Sequence, residues 1–432
     1  MTYPISKGRK IAFVVQRCGR EVNGGAEAHC LSIAQRMSLY WHTEVLTTCA
    51  KDYTTWDNFY APGPEQIGTT VVRRFPVTTP RVTDVFNRLS DELHAKGRAA
   101  TSEEEEAWME AQGPYSPELA TYIEAHSDEY DVFIFFTYLY WHTWEGFPKV
   151  ASRAILVPLA HDEWTIYLGL FRRLFAMVNH FIFNTVEEKR FLQRLEPGRQ
   201  IDGAVVGVAI DRPETIDPLR FRRDYQLDEE FLLYIGRIDQ AKGCNELFEF
   251  FIRGREQQQV RAKLVLLGTP VMPIPTHPDI VCLGFVSEST KWDALAACTA
   301  LVMPSVHESL SMVLLEAWTV GKPVVVNGRC EVLAGQCRRS NGGLWYFNYE
   351  EWVKVIEHLR QGRTAGVLGR QGWRFVNENY SWPAIERAYL ETVESVIDFK
   401  DAVATNMRGK HGKDSEGLLR EAVVNSRQIV EG

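Results

Sequence analysis

The segment S-V-H-E-S-L-S-M-V-L-L-E-A-W-T-V-G-K-P-V-V-V begins at Ser305. It is mostly apolar, yet it carries two carboxylates, Glu308 and Glu316, with no basic residue between them. The run A-L-V-M-P-S before it reads as a buried strand that stops at Pro304, which leaves Glu308 in the following loop. Residues 312–320 read as a helix ended by Gly321 and Pro323. Glu308 is therefore expected near the positive end of a helix, where backbone N–H groups lack partners. Eight positions at about 100° per residue place Glu316 only about 80° round, so both acids can face one pocket. Carboxylates so placed grip hydroxyl groups by charge-assisted hydrogen bonds, and a polyhydroxylated ligand would supply them. The alternative is that Glu308 caps the helix and Glu316 pairs with a neighbour; spacing alone leaves both open.

Three further stretches have residue types suited to the same ligand class. In Y-I-G-R-I-D-Q-A-K-G-C-N-E-L, from Tyr234, Arg237 and Lys242 follow a strand and precede a helix. Two cations there suit a diphosphate; the other reading is a surface loop with ordinary basic residues. In R-C-G-R-E-V-N-G-G-A-E-A-H, from Arg17, Gly24 and Gly25 stand before a helix N-terminus. That position attracts phosphate or lets a ligand approach the backbone, or is simply a turn. It is neither G-x-G-x-x-G nor a P-loop, which argues against a nicotinamide or ATP site. In L-V-P-L-A-H-D-E-W, His161 lies just beyond a strand. It is either a structural histidine or a group facing a cleft.

The elements that must position these residues read as two α/β halves. With 432 residues the chain exceeds one ordinary core. Strand-like runs and helical segments alternate from Lys10 onward, and the rhythm restarts after Pro213 with F-L-L-Y-I-G-R. This predicts two doubly wound Rossmann-like domains facing a cleft, with a hinge near residues 210–217. The expected division is a first domain over 1–212 and a second over 213–380. Residues 381–400 are expected to form a helix returning to the first domain, and 401–432 a charged tail, a loose helix or partly disordered. Residues 81–124 read as an exposed helical insertion whose acid run 103–106 is a solvated face.

Composition narrows the classes. A hydrophobic fraction of 45% and a charged fraction of 24% fit a soluble globular protein. A net charge of −8 argues against a general nucleic-acid-binding surface. The eight cysteines show no C-x-x-C pair and no zinc-like spacing, so they read as reduced thiols in the cytosol. No secretory signal is visible, and the longest apolar run falls far short of the roughly 20 residues of a membrane helix. The aromatics across 138–164 suit a platform for stacking an acceptor sugar, or a packed core.

Taken together and in order, these stretches resemble the family-four retaining glycosyltransferases of the GT-B fold, over about residues 11–396. Glu308 and Glu316 match the family's E-x7-E element and lead into E-A-W-T-V-G-K-P-V-V-V. Y-I-G-R with Lys242 matches its G-R-x-x-x-x-K-G, N-G-G-A-E its glycine loop, L-G-F-V-S-E its G-x-V strand, and V-V-G-V-A-I-D its interdomain segment. The resemblance implies that Arg237 and Lys242 clamp the donor diphosphate. It implies that Glu308, with the N–H groups of Ser309, Leu310 and Ser311, grips the donor sugar, while Glu316 takes the ribose hydroxyls. Val286 would lie near the base, Gly24 and Gly25 near phosphates or acceptor, and His161 beside the transferred sugar as a positioning and stabilising group. No cofactor or metal is implied: no D-x-D motif is present, and a nucleoside diphosphate sugar, UDP-sugar by default, is the donor substrate.

The expected function is transfer of that sugar to a hydroxyl of a glycan or lipid-linked saccharide in cell-surface polysaccharide synthesis. The site is expected in the cytoplasm, at or near the inner membrane face. A nucleotide-sugar epimerase of the same fold, or a binding protein without transfer, are the alternatives. Two departures bear on the sugar pocket: S-L-S follows Glu308 where the family has glycines, and C-E-V-L-A-G-Q-C-R-R-S-N-G-G stands where P-E-V-V is usual. Gln336, Arg338, Arg339 and Asn341 of that segment either meet the donor or line an exposed loop.

Overall fold

The computed structural model describes residues 8–22, 24–360 and 362–410. The first half forms an eight-stranded sheet. Its strands are β1 (Lys10–Arg17), β2 (His42–Thr48), β3 (Gly63–Ile67), β4 (Thr70–Phe75), β5 (Val132–Phe136), β6 (Ala154–Val157), β7 (His180–Phe183) and β8 (Gly203–Val205), in the order β3-β4-β2-β1-β5-β6-β7-β8. The second half forms a six-stranded sheet of β9 (Phe231–Ile235), β10 (Lys263–Leu267), β11 (Ile280–Gly284), β12 (Ala300–Met303), β13 (Val324–Asn327) and β14 (Gly343–Tyr346), ordered β11-β10-β9-β12-β13-β14. All pairings are parallel except β3 against β4.

Parallel strands need both faces covered, and the central runs are apolar throughout for that reason. Along β1, Ala12 and Val14 join one core, while Ile11, Phe13 and Val15 join the other. Along β9, Phe231 and Leu233 face one core and Leu232 and Tyr234 the opposite one. The alternation is the two-residue period of a strand acting on a sequence with no polar face.

Strand order reverses direction beside β1 and β5 in the first sheet, and beside β9 and β12 in the second. Doubly wound sheets open their ligand crevice at such switch points, beyond the carboxyl ends of the strands. The loops after β1, β9 and β12 hold Gly24 and Gly25, Arg237 and Lys242, and Glu308 respectively.

The helix Trp382–Lys410 follows the second sheet but packs on the first: Ile385, Tyr389, Val393 and Val396 share a core with Ile11, Phe13 and Ile134. Tyr40 donates to Glu386 at 2.7 Å, and Arg36 pairs with the same carboxylate. Helix continues through residues 401–410, and the rest of the charged tail lies outside the described residues. Between the two sheets the chain passes Gly207, at φ 73, where a Cβ would lie 2.5 Å from the Tyr380 ring; only glycine suits that turn.

The insertion is helical, as the sequence reads, but it is not exposed throughout. Three helices, Thr83–Lys96, Ser102–Gln112 and Pro117–Ala125, occupy it, and Trp108, Met109, Leu119 and Ile123 are fully buried. The acid run is not a solvated face throughout. Glu105 is buried and accepts from the N–H groups of Gly169 and Leu170 at 2.6 and 2.8 Å, capping helix Gly169–Met177. Thr101 and Glu104 form a capping box at the start of Ser102–Gln112.

Candidate functional site

The loop after β9 is shaped by Asp239. Its Oδ1 accepts from the backbone N–H of Lys242 at 2.7 Å, and its other oxygen pairs with the Arg237 side chain. One buried carboxylate thus sets the spacing of both cations. Gly243, at φ 76, lets this loop pass the Pro304 carbonyl, which a Cβ would approach to 2.4 Å. That contact brings the β9 and β12 loops together, and Lys242 Nζ lies 2.7 Å from Glu308 Oε1. Lys242 is one-third exposed, so the pair contributes little to stability, on the order of 0–1 kcal/mol. Its consequence is positional: a cation and a carboxylate converge at one point.

Glu308 does not cap the following helix. Ser311 occupies the cap position of Met312–Thr319, at φ 69, and no side chain bonds the first N–H groups. The carbonyls of this loop are held instead. Gln336 donates to Leu310 O at 2.5 Å, and Thr185 of the first domain donates to Ser309 O at 3.3 Å. Carbonyls tied back and N–H groups left open make a site for oxygen atoms of a ligand.

Glu316 is buried behind this loop. Lys291 reaches its Oε1 at 2.8 Å, while Oε2 is buried without a protein partner. Burial pushes its carboxyl above the ordinary value, and Lys291 draws it back. Glu308 lines the central hollow, whereas Glu316, like Arg237, Val286 and His161, lies outside its lining. Val286 is half-buried against the same core.

From the first domain, Gly24 and Gly25 play different parts. A Cβ on Gly24 would strike the Glu27 carboxylate, which Gln16 holds at 3.0 Å and Arg17 at 2.5 Å. Gly25 has open space before it and lines the hollow. His161 is half-buried after β6, its ring centroid 5.6 Å from that of His307, which precedes Glu308 in the loop after β12. His161 Nδ1 lies 3.6 Å from Glu163 Oε1. Burial and the facing His161 hold the His307 imidazole below its ordinary pKa.

The cleft encloses about 290 Å³. Gly25, Ala26, His29, Leu159 and Asn184 line it from one side, and Tyr234, Lys242, Glu308, Ser309, Leu310 and Ser311 from the other. A smaller hollow of about 200 Å³, lined by residues such as Leu89 and Glu104, lies in the insertion, where none of these groups converge.

The structure decides between several alternatives that the sequence leaves open. Most aromatics of 138–164 are core: Tyr138 packs edge-on to Phe171, Trp141 and Phe147 are buried, and Trp164 stacks on His94 within the insertion. Gln336 lies neither on an exposed loop nor at the donor but fully buried in helix Glu331–Ser340. Arg339 pairs with Glu187 of the first domain, and Arg338 covers the Trp345 ring. Asp239, Tyr53 and His307 also shape the site, Asp239 and His307 from within or beside the motifs. Tyr53 has no local signal, because its partner Arg237 is 184 residues away. All eight cysteines are free thiols, and only Cys282 is exposed. Among the described residues no three His, Cys, Asp or Glu side chains group as metal ligands, and no helix is long and apolar enough to cross a membrane.

Residues 216–363 match the family model of glycosyl transferases group 1. An uncharacterized glycosyltransferase of Methanocaldococcus jannaschii is 30% identical over 207 residues, 42% of this chain and 50% of that protein. A D-inositol 3-phosphate glycosyltransferase of Frankia alni is 26% identical over 286 residues, 59% of this chain and 68% of that one. The chain spans about half the length of the first curated relatives it matches. Among solved structures, Anabaena HepE in complex with UDP and glucose superposes with a TM-score of 0.63 at 16% identity, covering 90% of this chain and 100% of that one.

Proposed function

We propose that this chain, whose residues 216–363 match the glycosyl transferases group 1 model, is a group 1 glycosyltransferase that transfers a sugar, with retention and without a metal, from a nucleoside diphosphate sugar to a hydroxyl. The observation that carries this reading is the convergence of Lys242 and Glu308, 2.7 Å apart, at the central cleft. Lys242, with Arg237 beside it, takes the departing diphosphate and stabilises its charge as the sugar leaves. Glu308 and the open N–H groups of Ser309, Leu310 and Ser311 orient the sugar. Glu316 offers its unpaired Oε2 to the ribose, and Val286 flanks the base.

The incoming hydroxyl attacks from the leaving group's side, and the departing phosphate takes its proton. Attack from that side needs no carboxylate nucleophile for a double displacement, and His161 positions and stabilises the sugar. UDP is the first nucleotide to test, in keeping with the UDP and glucose bound by the Anabaena neighbour. The acceptor is a glycan or lipid-linked saccharide of cell-surface polysaccharide synthesis, met on the cytoplasmic side by the first domain.

The test is a thermal-shift screen with UDP, GDP, ADP and their sugar conjugates. A ligand at a hundred times its dissociation constant adds about 2.7 kcal/mol to stability. One nucleotide is expected to stabilise the protein, and Lys242→Ala is expected to abolish that shift. No shift with any nucleotide would remove the reading.

A further inference from the structure

We propose that His29 and Asn184 form a hydroxyl-binding subsite on the first domain's wall of the cleft, gripping the donor's sugar from the side opposite Glu308. Both residues line the hollow, and each is only 2% exposed. Each ends in a buried polar atom with no protein partner, His29 Nε2 and Asn184 Oδ1. Leaving such groups unpaired is costly, and native proteins seldom do so without a reason.

The chemistry of the two atoms is the same. His29 stands one turn into helix Gly25–Met37, with its ring edge-on to Phe136 at 5.1 Å. Its other ring nitrogen bonds the backbone of Gly207, which fixes the proton on Nδ1. Burial holds the imidazole neutral, down to about 4, so at neutral pH Nε2 keeps a lone pair and no proton. Asn184 Oδ1 is likewise an acceptor. The residues flank one point of the fold: a Cβ on Gly207 would lie 3.4 Å from the Asn184 carbonyl. The Asn184 backbone is fixed in turn, since its N–H donates to Glu188 Oε2 at 2.7 Å.

Two acceptors waiting for donors reject phosphate and carboxylate oxygens and accept O–H groups. The Lys242 side of the same hollow suits the diphosphate, and the His29 side suits sugar hydroxyls. The identity of the ligand rests on the function proposed above; the pairing of acceptors does not.

The experiment is isothermal titration of the whole chain with UDP, UDP-glucose, GDP and GDP-mannose, for wild type, His29→Phe and Asn184→Leu. Each substitution keeps an apolar body and removes the acceptor. The expected result is an unchanged affinity for the sugar-free nucleotide and a nucleotide sugar weakened about fivefold in each variant. Unchanged nucleotide-sugar affinity in both variants overturns the subsite, and so does equal weakening with and without the sugar. Failure of every nucleotide to bind wild type is a different result: the donor reading falls, and the subsite with it. If His29→Phe loses its cooperative melt, Asn184→Leu decides alone.

Discussion

The hydroxyl of Tyr53, on the loop after β2, lies 2.8 Å from Nη1 of Arg237, on the loop after β9. The Tyr53 ring also lies 5.2 Å from the Arg237 guanidinium and 5.4 Å from that of Arg17. An aromatic ring that attracts two cations offsets part of their mutual repulsion. Tyr53 thus aims, from one domain, a cation that the other domain places in the loop proposed to hold the diphosphate.

Tyr53→Phe keeps the ring and removes the hydrogen bond. In the proposed reaction it is expected to raise the donor KM about threefold to tenfold, the worth of a hydrogen bond to a charged group, with kcat within about twofold. Tyr53→Ala removes the ring as well and is expected to cost more. Initial rates over a donor series measure this, and an unchanged KM in both variants would exclude the positioning role.

Lys242→Ala is expected to lower transfer by about 10²–10³, the usual cost of losing one group that stabilises developing charge. Because the pair with Glu308 is partly exposed, stability should change by no more than about 1 kcal/mol. Turnover assays run beside thermal melts separate the two effects. A variant with wild-type turnover would show that Lys242 is not the clamp.

Much of the fold is legible in the sequence because β1, β5, β9 and β12 are nearly all apolar, and such runs between helices leave few architectures. β3, reading G-P-E-Q-I with only Ile67 buried, carries no such signal, and neither does the three-residue β8. Within the site, Arg237, Lys242 and Glu308 were legible as motifs at fixed spacing. The geometry between domains was not. Tyr53 meets Arg237 and Thr185 meets Ser309 only after two sheets have formed and faced each other. Composition left the aromatics of 138–164 open, since stacking platforms and core packing use the same residues.

Ser311 adopts φ 69 and ψ 91, a conformation that favours glycine, in the loop that presents the cleft's N–H groups. Ser311→Gly relieves that strain but gives the unfolded chain more freedom. The expected net is unchanged stability or a gain of up to about 1 kcal/mol. Ser311→Val places a β-branched side chain there and is expected to cost about 1–3 kcal/mol. Urea unfolding measures both, and a glycine variant that loses more than about 1 kcal/mol would contradict the strain.

Glu188 is fully buried beside the His161 loop, its two oxygens each 2.7 Å from a backbone N–H, of Ala160 and Asn184. Burial pushes its carboxyl from 4.5 up to about 8, against the pull of those donors. The fold therefore keeps a proton that the unfolded chain has released, and its contribution to stability falls as pH rises from about 4.5 to about 8. His29 and His142 act with the opposite sign. Burial lowers them from 6.5 to about 4 and about 3, so the unfolded chain takes up protons that the fold refuses, and stability falls as pH drops below 6.5. The melting temperature should therefore peak near pH 6.5 and decline toward pH 8 by on the order of 2–4 °C per unit. Glu188→Gln stays neutral at every pH, so it should remove the decline between pH 6.5 and about 8 while keeping the acid one. Nearer pH 9 the buried cysteines, raised from 9.0 by burial, add a decline that both proteins share. Melts from pH 5 to 9 on both proteins test this, and an equal alkaline slope in the variant would assign the decline to other groups.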